Sequence, residues 1–195
     1  MDLAGKRIGF AITGSFCTYR KIMPVIEELL KMGAEITPIL SYNAAGFDTR
    51  FIKSADFKWF LVETTKKEIL DSLVAVEPIG PKKMLDLLII APCTGNTLAK
   101  LALGITDTPV LLAAKSHLRV LGPVLIAVST NDALAANAKN LGVLLNTRNI
   151  FFVPYRQDNN KEKNTSIVAD MSMITESAKY ALDFKQIQPV MLEPH

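Results

Sequence analysis

A glycine and a serine stand where the first apolar segment of the chain stops, and this pair could bind a phosphate group. Gly14 and Ser15 follow the short β-branched run 7–13, and a segment with helical periodicity begins near Thr18. Glycine lets the backbone approach a ligand closely, and the first amides of a helix attract an anion. The pattern predicts a phosphate-binding turn, but a tight turn with Ser15 as a simple helix cap explains these residues equally well.

Small polar residues also follow three later apolar runs, at 34–40, 87–91 and 124–128. Thr94, Asn96 and Thr97 together offer hydroxyls and an amide, a mixture that suits the ring or sugar-alcohol edge of a cofactor. The simpler explanation is a capped helix with Gly95 in the turn. The residues predicted to bind the cofactor are Gly14, Ser15, Phe16, Ser41, Asn43, Thr94, Asn96, Thr97 and Ser129.

The spacing of the glycines does not match two common nucleotide-binding motifs. Gly5, Gly9 and Gly14 do not form a Gly-x-Gly-x-x-Gly fingerprint, and Gly9 lies inside the first predicted strand. No Gly-Lys-Ser or Gly-Lys-Thr sequence occurs, so a Walker loop is also absent from the sequence. These absences favour a mononucleotide over NAD or ATP.

Five apolar runs predict the strands that position these residues, and helical stripes separate them. Strands alternating with helices imply a parallel sheet, and right-handed crossovers bring every carboxyl end to one edge. The predicted fold is α/β: a doubly wound, Rossmann- or flavodoxin-like parallel sheet with helices on both faces, in a single domain over residues 1–195. The predicted strands are 7–13, 34–40, 87–91, 124–128 and 150–153. Further predictions are a strand end or an edge position for Pro38, a helix over 133–140 that ends at Gly142, and a charged, polar loop at 158–163 that could be mobile.

Composition narrows the class of protein. The chain has 195 residues, 49% of them hydrophobic, and a net charge of +3, which is typical of a packed globular protein. Its scattered basic residues give little support to nucleic-acid or membrane-surface binding. No apolar run approaches the ~18 residues of a membrane span, and the N-terminus lacks a signal-peptide pattern, so we expect a cytoplasmic protein. Cys17 and Cys93 have no metal-ligand spacing, and we predict two packing thiols and no metal site.

Three segments resemble the motifs of a known family. They are TGSFC-x-YRK from Thr13, PILSYNA from Pro38 and APCTGNTLAKLALGITD from Ala91. Together they are similar to the flavoproteins that include the cysteine-peptide and phosphopantothenoylcysteine decarboxylases and the flavin prenyltransferases. The resemblance implies bound FMN, with its phosphate near Gly14, Ser15 and Ser41 and its ring near Thr94, Asn96, Thr97 and the segment 115–119.

The sequence departs from the decarboxylase pattern in two places. The decarboxylases carry a histidine base before the third strand, whereas this chain has only His117 and His195. His117 lies in a predicted helix, and we expect it at the surface or in an interface. The Pro-Met-Asn substrate segment of the family is replaced by residues 128–132. Because a base matched to neutral pH is missing, a free-standing cysteine decarboxylase is disfavoured.

The C-terminal segment 152–169 and Gln188-Pro189-Val190 resemble one branch of the family, the dipicolinate synthase B subunits of spore-forming bacteria. That resemblance implies an oxidoreductase component for oxidation of a dihydrodipicolinate-type precursor to dipicolinate, with a partner A subunit that supplies the NADP site. It also implies a homo-oligomer. Asn96, Lys115 and Arg119 are then the catalytic candidates, the two cations as contacts for substrate carboxylates. Decarboxylation or prenyl transfer on FMN, and a non-catalytic structural subunit, remain as alternatives.

Overall fold

The structure, a computed structural model, describes residues 2–193, and the chain alternates strands with helices over most of that range. The strands are β1 (Arg7–Ile12), β2 (Glu35–Leu40), β3 (Leu87–Cys93), β4 (Val124–Thr130), β5 (Ile150–Phe152), β6 (Tyr155–Asn159) and β7 (Lys163–Ala169). The helices are α1 (Tyr19–Lys31), α2 (Tyr42–Gly46), α3 (Ser54–Thr65), α4 (Leu73–Val76), α5 (Gly95–Ala102), α6 (Pro109–Arg119), α7 (Ala138–Leu145) and α8 (Ile174–Leu182). Short 3-10 helices occupy Phe16–Thr18, Glu77–Ile79 and Met171–Met173.

The first five strands form the parallel sheet that the sequence predicts. They lie in the order β2-β1-β3-β4-β5, with every neighbouring pair parallel. This is the flavodoxin-like order, in which the carboxyl ends of the strands share one edge and ligands bind there. Pro38 lies in β2 at the margin of this sheet, which confirms its predicted edge position.

The core lies on both faces of the sheet. Every residue of β3 is buried, as expected of a central strand covered on both sides. The helices α1 and α8 contact each other on one face, while α5 and α6 pack on the opposite face, as right-handed crossovers in both directions require. No helix within residues 2–193 is long and apolar enough to cross a membrane.

The polar loop predicted at residues 158–163 is shorter in the structure, because β6 and β7 form a hairpin whose turn spans residues 160–162. β6 and β7 pair antiparallel, and β7 also pairs with the end of β4 through Ser129 and Thr130. β5 has only three residues and pairs with residues 124–126 of β4, so the end of β4 is available to pair with β7. The turn is closed by Asn159, whose side-chain oxygen accepts hydrogen bonds from two backbone amides.

The predicted helix over 133–140 is also wrong in its bounds. α7 starts only at Ala138 and runs through Gly142 to Leu145. The helix starts later than predicted for a local reason. The Asp132 carbonyl accepts hydrogen bonds from the amides of Ala135 and Asn137, and these bonds form turns in the segment before α7.

His117 contradicts the expectation of a surface or interface histidine. Its side chain is buried at 1% exposure, near the C-terminus of α6. The ring packs on Gly122 so closely that a Cβ atom there would overlap its Cε1 and Nε2. Burial lowers the pKa of His117 to about 4, although the Pro123 backbone and the Asp86 charge oppose part of the shift. The ring therefore stays neutral at physiological pH.

The lowered pKa of His117 predicts a pH dependence of folding. Above the unfolded pKa of about 6.5 the ring is neutral in both states, and between about 6.5 and 4 only the unfolded chain binds the proton. We expect the free energy of unfolding to decrease as the pH is lowered through that window, by up to about 1.4 kcal/mol per pH unit. His117→Gln should remove this part of the slope in denaturant unfolding between pH 7 and 4. If the free energy of unfolding depended on pH in the same way in both proteins, the lowered pKa of His117 would be contradicted.

The contact between Gly122 and His117 predicts opposite effects for two Gly→Ala changes. Gly122→Ala should destabilise by about 1–3 kcal/mol, because the new methyl overpacks the buried ring. Gly142→Ala is the matched control, since it lies inside α7 with open space at its Cβ position, and it should stabilise by roughly 0.5–1 kcal/mol. Urea unfolding midpoints measure both. A wild-type midpoint for Gly122→Ala would show that the ring can move away.

Candidate functional site

A cleft of about 630 Å³ opens at the edge where β1, β3 and β4 end. The turn after β1 forms one wall and the β6–β7 hairpin forms another. Four of the residues predicted from the sequence line it: Gly14, Ser15, Thr94 and Ser129. The structure adds side chains that are not among the predicted binding residues, including Thr18, Lys21, Thr130, Asn131, Asp158, Lys163 and Ser166.

Three hydroxyls, which we call the hydroxyl cluster, meet in this cleft. The Oγ atoms of Ser15 and Ser129 are 2.8 Å apart, and Thr18 Oγ1 lies 3.2 Å from each. Ser15 makes no side-chain cap bond to the helix that follows, so capping does not explain its place here. Each hydroxyl can turn its proton toward a ligand, so the cluster can donate to several oxygens of one anion.

Thr13 joins the two turns that border the cleft. Its Oγ1 donates to the Pro92 carbonyl at 2.7 Å and accepts from the Thr94 amide at 3.0 Å. The side chain is buried, and its own carbonyl accepts a hydrogen bond from the hydroxyl of Tyr19. The ends of β1 and β3 are thus held together by bonds inside the protein.

A polar network supports the far side of the cleft. The Asp132 carboxylate accepts from Thr130 Oγ1 at 2.6 Å and from Asn137 Nδ2 at 2.7 Å. Asn140 extends the network by donating to the Asn137 side chain. A Cβ on Gly95 would lie within 2.5–2.7 Å of atoms of this network, so glycine is needed at the start of α5.

Several predicted cofactor residues have structural roles or lie outside the lining. Ser41 caps α2 by accepting from the Ala44 amide, and Thr94 caps α5 as well as lining the cleft. Thr97 is buried behind it, with its hydroxyl 3.1 Å from that of Thr94. Asn96 and Asn43 are exposed and Phe16 is half-buried against Tyr19, and none of the three lines the cleft.

The structure does not bring Lys115 and Arg119 to this cleft. Both are exposed on α6, whose C-terminal end leads through Gly122 into the first residue of β4. Arg119 therefore lies toward the amino edge of the sheet, opposite the edge with the cleft. His117 shares that end of α6, and His195 lies outside the described residues. No group of three or more metal-ligating side chains occurs within residues 2–193.

Two lysines and one acid supply the charge of the cleft. Lys163 donates to Asp158 at 2.8 Å, and this bond raises the pKa of the Lys163 ammonium. Lys21 projects from the first turn of α1 and also lines the cleft. Neither lysine is among the residues predicted to bind a ligand, although Lys21 ends the motif TGSFC-x-YRK and Lys163 lies in the segment 152–169.

The two cysteines differ in environment. Cys93 is fully buried, which raises the pKa of its thiol to about 12 and agrees with the predicted packing role. Cys17 is exposed and lines the cleft, with its sulfur 3.9 Å from Ser15 Oγ, so the packing role predicted for it is wrong.

One family model and three known proteins are similar to this chain in sequence or in structure. The family model described as Flavoprotein matches residues 1–179. The B subunit of dipicolinate synthase from Bacillus subtilis (strain 168) is 46% identical over 192 residues, 98% of this chain and 96% of that protein. The crystal structure of the corresponding B subunit from Bacillus halodurans C superposes with a TM-score of 0.92 at 43% identity, covering all of both chains. The FMN-dependent cysteine decarboxylase SpaF shares the fold, with a TM-score of 0.68 and 21% identity over 93% of this chain and 98% of its own.

The double hydrogen bond of Thr13 predicts the effect of an isosteric change. Thr13→Val removes the hydroxyl and leaves the Pro92 carbonyl and the Thr94 amide without this partner, at a cost of about 1–3 kcal/mol each for groups that stay buried. Thr13→Ser is the control, because it keeps the hydroxyl. We expect chemical denaturation to show a clear loss for valine and a small one for serine. Equal losses would mean that the methyl group, and not the hydroxyl, holds the two turns.

Proposed function

The chain belongs to the Flavoprotein family, and from that premise we propose that it binds FMN and serves as the B subunit of a dipicolinate-forming oxidoreductase. The observation that carries the proposal is similarity at 43–46% identity over essentially the full length of two dipicolinate synthase B subunits. The similarity to a decarboxylase of the same fold is only 21%.

The hydroxyl cluster fits the phosphate of FMN. Ser15, Thr18 and Ser129 offer three hydroxyl donors within 3.2 Å of one another, and the glycine before Ser15 leaves room for a ligand. A Cβ on Gly14 would make only ordinary van der Waals contacts, at 3.6–3.7 Å with Asn43 and Phe16, so no neighbouring atom closes the turn.

The ring of the cofactor would lie along the turn after β3, in line with the resemblance of that turn to the family motif. Thr94 borders the cleft there, and Asn96 is exposed at the first turn of α5. FMN, when bound, supplies an acceptor for two electrons. The protein contributes the rigid turn, which Thr13 and the Asp132 network hold in place from both sides.

The reaction we propose converts a dihydrodipicolinate-type precursor to dipicolinate, with loss of two hydrogens from the ring. NADP would be the final acceptor, bound by a partner A subunit, because this sequence lacks a dinucleotide fingerprint. We also infer that the chain forms a homo-oligomer, as the resemblance implies.

Decarboxylation is the second candidate, favoured by the fold shared with SpaF. His117, the one histidine within residues 2–193, is neutral and buried against Gly122, toward the opposite edge of the sheet. It cannot reach a substrate at the cleft, so the base expected of the decarboxylases has no histidine counterpart among the described residues there.

A charge placed in the hydroxyl cluster tests the cofactor site. Ser15→Asp puts a carboxylate beside the proposed phosphate position, and we expect FMN affinity to fall at least about tenfold because two anions repel. Asn146→Asp adds the same charge on an exposed residue at the end of α7, and it should bind FMN like wild type. Flavin absorbance after titration and gel filtration measures both.

The same variants separate a working cofactor site from a vestigial one. In a complex with the A subunit, Ser15→Asp should lose dipicolinate formation while assembly stays intact. Wild-type activity of that complex would instead support a non-catalytic structural subunit. A wild-type chain that purifies colourless and takes up no FMN would refute the cofactor claim itself.

A further inference from the structure

Two lysines face the cleft from different walls, and one acid lines the cleft with them. Lys21 comes from the first turn of α1, and Lys163 is the first residue of β7. Asp158 is the one acidic side chain among the described residues that line the cleft. The lining therefore carries a net charge of +1, counted as two lysines and one aspartate.

The position of Lys163 is set by how the hairpin is anchored. Thr165 Oγ1 donates to the Asn131 carbonyl at 2.7 Å, and Ser166 Oγ donates to the Thr130 carbonyl at 3.3 Å. The Leu134 amide returns a bond to the Thr165 carbonyl at 3.0 Å. These bonds join the hairpin to the segment after β4, so its lysine is held beside the proposed cofactor site.

The cleft continues into a second cavity of about 500 Å³ between α1 and the hairpin. Lys21, Asp158 and Val168 line both spaces, so Lys21 stands at the junction. Val25 and Met171 are among the apolar residues in the second cavity. A cofactor phosphate at the hydroxyl cluster would leave this junction open for a second, smaller molecule.

We propose that Lys21 and Lys163 bind the carboxylates of a small dicarboxylate held beside the cofactor. The inference rests on the proposed function, which supplies a substrate with two carboxylates. Within residues 2–193 Lys21 forms no ion pair, and its ammonium has three donors for an incoming carboxylate. These two residues take the role that the sequence assigned to Lys115 and Arg119.

Lys163 can exchange its present partner for the ligand with little loss of stability. Its bond to Asp158 joins two partly exposed side chains, at 58% and 37% exposure. Exposed ion pairs of this kind contribute little to stability. A substrate carboxylate can therefore replace Asp158, and Asp158 competes with the substrate for the lysine.

Dipicolinate itself is the probe, with pyridine-2-carboxylate as the analogue that has one carboxylate. Calorimetric titration of the full chain loaded with FMN measures their affinities, and FMN affinity is measured separately. Lys21→Gln and Lys163→Gln should each weaken dipicolinate binding roughly tenfold and leave FMN affinity unchanged. Lys31→Gln, which removes an exposed lysine at the other end of α1, should bind like wild type.

A fourth variant gives an effect of the opposite sign, which misfolding cannot produce. Asp158→Asn removes the competing carboxylate, and we expect dipicolinate to bind several-fold more tightly. Each lysine variant should also lose part of the advantage of dipicolinate over the single carboxylate, because one charge contact is gone.

Three outcomes would overturn the inference. The wild-type protein could fail to bind dipicolinate, or both lysine variants could bind it as tightly as wild type. The lysine variants could also lose affinity for FMN while keeping affinity for dipicolinate, which would assign the lysines to the cofactor phosphate. Failure of the proposed function is a separate result, because dipicolinate can also be titrated into chain that takes up no FMN.

Discussion

The parallel register of β1, β3 and β4 is the constraint on which the site depends. Three neighbouring strands that run the same way end at one edge, so turns far apart in sequence become adjacent. Ser15 and Ser129 are 114 positions apart, yet their hydroxyls are 2.8 Å apart. Thr13 holds this edge together, because its side chain satisfies backbone groups of the neighbouring turn. The chemistry at the edge thus depends on bonds that are buried beneath it.

The unequal lengths of neighbouring strands determine the other wall of the cleft. β5 is too short to cover β4 to its end, so β7 pairs with the exposed stretch. This pairing carries the polar hairpin, with Lys163 and Asp158, over the carboxyl edge. The cleft therefore combines a turn after β1 that matches the family motif with a wall whose charges come from a different part of the chain. That combination allows one surface for a phosphate and another for carboxylates.

At each edge of the sheet, a glycine allows larger side chains to pack against the backbone. Gly95 lets the Asp132 network lie against the start of α5, beside the cleft. Gly122 admits the ring of His117 at the opposite edge, where burial keeps that ring neutral. The histidine thus serves packing, which is consistent with a reaction that does not need it as a base.

The sequence by itself determined the five parallel strands and the turn at Gly14 and Ser15, because buried strands and the glycine after them leave a strong local pattern. It could not locate the β6–β7 hairpin, since strands with polar, exposed faces lack that pattern. Thr18 and Lys21 lie within the motif TGSFC-x-YRK, but only the tertiary structure shows that they line the cleft and that Arg119 does not. Which side chains converge depends on strand register and helix direction, and these arise from packing across the whole chain and not from neighbouring residues.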